Sequence, residues 1–179
     1  MQEEFNRYVI SLYQDIPTEV YEGLVSVFCL GAVAFFVFWG FRKGFRYSAR
    51  LLLIEYEFLL FSSTVIYRMG SETRKYDWHP FWSYRAIEEG RGALIPENIM
   101  NVVVFVPIGL LLGIGFSKWS WWKAIGTGCL LSVSIEAMQL MFKRGFCEVD
   151  DVIHNTLGCI IGYILVKGSL CMVKGLTKK

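Results

Sequence analysis

Charge is what this sequence has least of. Only 19% of its 179 residues are Asp, Glu, Lys or Arg, where a water-soluble domain carries about 25%. Apolar side chains fill the deficit, making up 54% of the chain, and they are gathered into runs as long as a bilayer is thick. That combination excludes a soluble enzyme, a disordered chain, a collagen and a nucleic-acid-binding domain. Paired cysteines are lacking too. Cys29, Cys129, Cys147, Cys159 and Cys171 form no CxxC and no zinc-like spacing, and four lie in or beside apolar runs, where a thiol behaves as a small hydrophobe. Only Cys147 falls in a polar loop, so no disulfide framework is expected. Histidine is nearly absent, with His79 and His154 alone. His154 with Asp150 or Glu148 is poor spacing for a divalent ion, and neither a metal nor another cofactor is expected. No internal repeat or low-complexity segment is visible.

What the chain does contain is a series of apolar stretches near the roughly 20 residues that cross a hydrocarbon core. Gly23 to Phe41 has no charge, and is too long for a signal core after a segment with one base and five acids. Further candidates are Leu51 to Tyr67, Asn98 to Phe116, Ala124 to Phe142 and Val152 to Val173. The reading is an all-α, polytopic membrane protein of about five transmembrane helices, with residues 1–22 an extracytoplasmic segment. Phe5, Tyr8, Val9, Leu12 and Ile16 recur at helical spacing there, the pattern of an interfacial helix or of a folded-back tail.

Sidedness follows from the basic residues. Arg42, Lys43, Arg46 and Arg50 occupy the first loop, Lys118 and Lys123 the third, and Lys167, Lys174, Lys178 and Lys179 the tail, with no acid among them. Five alternating spans put these three segments on one side, so the N-terminus is expected outside and the C-terminus in the cytoplasm. The outer segment from Arg68 to Glu97 holds Trp78, His79, Pro80, Phe81, Trp82 and Tyr84. It reads as an interfacial aromatic belt or as a lid over a site.

Polar side chains inside lipid are costly and face a bundle interior or a cavity. Glu136 precedes Lys143 by seven residues, about 10 Å below the outer end of its span at 1.5 Å per residue. Gln139 lies one turn on along the same face. Arg68 ends the second span, Asn98 and Asn101 open the third, and Asp151 and Asn155 open the fifth. Four helices are thus expected to form a bundle with a polar layer near the outer face, and the first helix to stay peripheral. Structural alternatives exist for each group. Asp150 and Asp151 suit helix caps, Asn101 and Asn155 suit interhelical hydrogen bonds, and Glu136 suits a clasp with Arg68 or Arg144. Gly158-x-x-x-Gly162, with Gly109 and Gly113 after Pro107, is close-packing spacing.

Three elements carry a resemblance. They are Asn101-Val-Val-Val-Phe105-Val-Pro107-Ile-Gly109, Ser134-Ile-Glu136-Ala-Met-Gln139, and Arg144 followed by Val149-Asp150-Asp151-Val152-Ile-His-Asn155-Thr156-Leu-Gly158. With Tyr67-Arg68 and His79-Pro80-Phe81 upstream, they resemble the VanZ family over roughly Thr64 to Tyr163. The resemblance implies a multi-helix protein of the bacterial cell membrane, linked in some members to reduced susceptibility to teicoplanin-type glycopeptides. It also implies a site that processes a lipid headgroup. On that reading Glu136 and Asp151 are the catalytic candidates, and Arg68, Asn101, Gln139, Arg144, Asp150 and Asn155 bind the substrate. The expected partner is a membrane lipid or a lipid-linked envelope precursor. Three functions stay open: chemistry on the headgroup, binding or shielding without chemistry, and a polar layer that only holds the helices together.

Overall fold

A computed structural model describes residues 18–38 and 44–176. The candidate interfacial helix at Phe5 to Ile16 lies outside those residues, as do Arg42, Lys43, Lys178 and Lys179. The described chain forms α1 (Thr18–Phe38), α2 (Gly44–Phe61), a π-helical turn (Ser62–Ile66), β1 (Lys75–Asp77), α3 (Trp82–Glu88), α4 (Leu94–Gly115), α5 (Trp121–Phe142), β2 (Phe146–Glu148) and α6 (Val149–Leu176). Three helical stretches, Leu94–Gly115, Trp121–Phe142 and Val149–Leu170, are long and apolar enough to cross a membrane, and Val25–Ala34 in α1 is a shorter apolar one. The chain is therefore an all-α multi-pass membrane protein, apart from one short parallel strand pair.

Helix boundaries differ from the sequence reading in one direction. α2 begins at Gly44, so Arg46 and Arg50 are helical rather than in a loop. α4 begins at Leu94, four residues before the first polar position expected of it, so Asn98 and Asn101 lie beyond its first turn. Apolar runs mark where lipid starts, whereas a helix extends into the interface for as long as its backbone stays paired.

α4 and α6 run parallel with their backbones in contact. A Cβ built on Gly158 would lie 2.0 Å from the Val102 carbonyl, one on Gly162 2.1 Å from that of Val106, and one on Gly109 2.0 Å from that of Cys159. Small residues permit this approach, and in lipid such packing holds helices together. α5 is antiparallel to α6, since Asn155 meets Ser132 while Cys159 meets Ala124. α2 runs antiparallel to α4, with Arg50 donating to the Gly115 carbonyl at 3.0 Å and the Tyr56 hydroxyl to that of Val104 at 2.8 Å. Phe105, Ile108, Leu112, Ile135, Cys159 and Tyr163 form the centre of the core. α1 packs on α2 and leaves Val27, Leu30, Val33 and Val37 exposed, a peripheral position.

The two ends of the bundle differ in charge. Arg46, Arg50, Lys118, Lys123 and Lys167 gather at one end, where Lys167 donates to the Ser117 carbonyl at 2.7 Å. The start of α4, the end of α5 and the start of α6 meet at the other. There the segment between α2 and α4 folds back, pairing Lys75, Tyr76 and Asp77 in parallel with Phe146, Cys147 and Glu148. Cys147, expected in a polar loop, is buried in this strand pair.

Candidate functional site

The acid-bearing end of the bundle is built by helix termini that converge. On α6, Asp151 accepts from the Asn101 side-chain amide of α4 at 2.6 Å. One turn deeper, the Asn155 amide donates to Ser132 Oγ of α5 at 2.8 Å. Ser132, Glu136 and Gln139 share one face of α5 by helical spacing, and all three are buried. Glu136 is 5% exposed, and its Oε2 accepts the backbone N–H of Glu148 at 3.0 Å. The helix face that carries the acid and the strand that follows the helix are thus tied together.

Arg68 is the basic member. It follows the π-helical turn and lies against Gly145, whose absent side chain leaves room for it. A Cβ there would come within 2.9 Å of the guanidinium, and Gly145 also holds φ at +102°, a conformation that favours glycine. Arg68 lies within electrostatic reach of Glu97, Glu136 and Asp151. Asp151 in turn feels Glu136, Glu148 and Glu97. Three carboxylates, Glu97, Glu136 and Asp151, therefore lie within electrostatic reach of one guanidinium, and Glu148 stands beside Glu97 and Glu136.

Two further predicted residues hold the π turn. A π turn closes with an i to i−5 bond, here Tyr67 N–H to the Ser62 carbonyl at 2.9 Å, and π turns inside helices are frequent at functional sites. Gln139 donates to the Thr64 carbonyl at 3.2 Å. Arg144 donates to the carbonyls of Val65 and Ile66. Arg144 is thus engaged with backbone, and the Glu136 charge has Arg68 as its basic neighbour.

Asp150 faces the other way. It is 1% exposed and accepts three hydrogen bonds, from Phe81 N–H at 2.5 Å, Ser83 N–H at 3.0 Å and Ser83 Oγ at 2.6 Å. Asp150 therefore caps α3 across the fold rather than the helix it belongs to, and it holds Phe81 at φ +63°. Asn98 joins the same knot by donating to Ser83 Oγ at 3.1 Å. The aromatic segment is anchored over this end of the bundle, and its Trp82 indole donates to Glu148 Oε2 at 2.9 Å.

Glu97, Glu148, Trp82 and Gly145 were not predicted as site residues. Glu97 stands at i−4 from Asn101 and shares its face, a signal hidden by placing the helix start at Asn98. Glu148 and Trp82 meet only through the strand pair and the folded-back loop, which no local spacing announces. Burial, with Glu97, Glu136 and Asp150 nearby, raises the Glu148 carboxyl to about 8. Burial and the charges of Glu136, Asp151 and Glu148 raise the Cys147 thiol to about 11, so near neutral pH it is no thiolate nucleophile. Among the described residues no three His, Cys, Asp or Glu side chains are arranged to hold one metal ion.

A model of the VanZ/LLP1 family matches residues 25–172, nearly the whole described chain. The chain belongs to the VanZ/LLP1 family. Among curated proteins it is similar to Protein VanZ of Enterococcus faecium, with 36% identity over 66 residues, which is 37% of this chain and 41% of that protein. The matched stretch thus spans about two-fifths of the relative's length. No solved structure matches. The VanZ/LLP1 match takes in every member of the acidic cluster and Arg68, and excludes the start of α1.

Proposed function

We propose that this VanZ/LLP1 protein takes a polar, lipid-linked headgroup into the acidic end of its bundle, from the outer leaflet of the bacterial cell membrane. The gathering of Glu97, Glu136 and Asp151 within electrostatic reach of Arg68, with Glu148 beside them, carries the reading, because ionisable groups in the helices of a membrane protein are functional sites by default. α1 and α2 cross as well, giving five spans. The basic end lies in the cytoplasm by the positive-inside rule, which sets the N-terminus outside. Arg68 offers charge-assisted hydrogen bonds to a phosphate. Glu136 and Asp151 exchange protons with the headgroup or a water, while Asn101, Gln139 and Asn155 orient it. Arg144 and Asp150 act at one remove, Arg144 by fixing the π turn before Arg68 and Asp150 by fixing the loop above. Reduced susceptibility to teicoplanin-type glycopeptides is the proposed consequence in the cell.

Glu136→Gln tests this directly. Glutamine keeps an oxygen for the Glu148 N–H, so the fold is retained and only the acid is lost. Membrane lipids extracted from cells expressing each form are compared by mass spectrometry, alongside growth in teicoplanin. Loss of the lipid change and of the growth advantage at equal membrane abundance supports the reading. A Gln variant equal to wild type in both overturns it.

A further inference from the structure

The cluster has more acceptors than donors. Gln139 and Asn155 are 4% and 5% exposed, and the side-chain carbonyl oxygen of each has no hydrogen-bond partner. The Gln139 orientation is fixed, because the Thr64 carbonyl can only accept and so must face the amide nitrogen. Gln139 stands on the face of Glu136, and Asn155 is one turn from Asp151 and bonded to Ser132 on that same α5 face. Gln139 Oε1 is thus a buried acceptor on the helix face that carries Glu136, and Asn155 Oδ1 one on α6 a turn from Asp151. A buried acceptor left unpaired is costly, and two of them beside Glu136 and Asp151 suit a donor that carries positive charge. The acids are too dispersed for three of them, with or without His or Cys, to hold one ion. A molecular cation with several N–H donors suits these acceptors better than a bare ion.

We propose that the headgroup taken by this site carries a primary ammonium beside a phosphate, the ammonium facing the carboxylates and the two amide oxygens and the phosphate facing Arg68. This rests on the headgroup reading above and names its substrate class. A primary ammonium offers three N–H donors, whereas a quaternary ammonium carries the same charge with none. The amide oxygens therefore select between them, which charge alone does not do. Arg68 has no ion pair within 4 Å among the described residues, so its forked donors are open to a phosphate.

The full chain, purified into phosphatidylglycerol nanodiscs, is titrated with short-chain phosphatidylethanolamine, short-chain phosphatidylcholine and soluble phosphoethanolamine, with binding read by native mass spectrometry. Phosphatidylethanolamine is expected to bind at least tenfold more tightly than phosphatidylcholine. Gln139→Leu should remove most of that preference, and Asn155→Ala, which removes the second acceptor without touching the Gln139–Thr64 bond, should weaken it where the leucine form fails to fold; an Asn155→Ala form with the full preference overturns the assignment. Phosphoethanolamine binding as tightly as the lipid supports the ammonium chemistry and overturns the lipid as its source. Equal binding of ethanolamine and choline lipids overturns the proposal. If neither is preferred over phosphatidylglycerol while Glu136→Gln still abolishes the cellular lipid change, only the ammonium assignment fails. If Glu136→Gln is also silent, the headgroup reading fails with it.

Discussion

Replacing Gly158 by alanine tests how closely the site depends on the α4/α6 seam. The added methyl would lie 2.0 Å from the Val102 carbonyl and 3.0 Å from the Phe105 Cβ. A backbone carbonyl in a helix cannot turn aside, so the helices must part by about 1.4 Å to restore ordinary contact at 3.4 Å. Overpacking of this kind costs about 1–3 kcal/mol. The Asn101–Asp151 bond, now 2.6 Å and two turns away on the same seam, would then pass beyond hydrogen-bond reach, adding about 1.5–3 kcal/mol for a bond to a charged group. Alanine's better helix propensity returns up to about 1 kcal/mol. The expected net loss is therefore about 3 kcal/mol, together with loss of headgroup binding. Gly126→Ala is the control, because nothing lies within 4 Å of its new methyl. Unfolding of both variants in mixed micelles by titration with sodium dodecyl sulfate gives the comparison. If Gly158→Ala proves as stable as Gly126→Ala, the contact seam does not set the geometry of the acids.

Other consequences are open to measurement. Asp150→Ala removes an acceptor of three hydrogen bonds from Phe81 and Ser83, so limited proteolysis should cut between residues 78 and 92 at least tenfold faster while the long helices stay protected. Unchanged protection there would show that the strand pair, not Asp150, anchors the loop. Glu148 gives a pH dependence of known sign. Its carboxyl is raised by burial to about 8 from an ordinary value of 4.5, so its contribution to stability is complete below about pH 4.5 and is lost as pH rises through about 8. Wild-type Tm should fall over that window and Glu148→Gln should flatten the slope. A Gln variant with the wild-type slope would assign the dependence to another group.

Sequence alone determined the class and the list of participants. Missing charge and long apolar runs require lipid around the chain, because soluble folding cannot hide so much apolar surface. Glu136, Gln139, Asp151 and Asn155 were legible for the same reason, since a polar group in an apolar run has no cheap solvent and must meet a partner. The glycine spacing at 158 and 162 likewise announced a close helix contact. What each participant does was decided by tertiary structure. Asp150 and Asp151 are neighbours in sequence, yet helical rotation of about 100° per residue sends one to the loop and the other to the carboxylates. Arg144 and Arg68 were equivalent as counter-ions until the π turn offered its carbonyls to Arg144 and Gly145 made room for Arg68. Glu148 and Trp82 join only because the loop returns to pair strand with strand, a long-range contact with no local signature, whereas Glu97 was hidden only by the helix start placed at Asn98. The low charge of the chain says that it lives in a membrane. The unpaired amide oxygens of Gln139 and Asn155 beside the acids are visible only once the helices are packed.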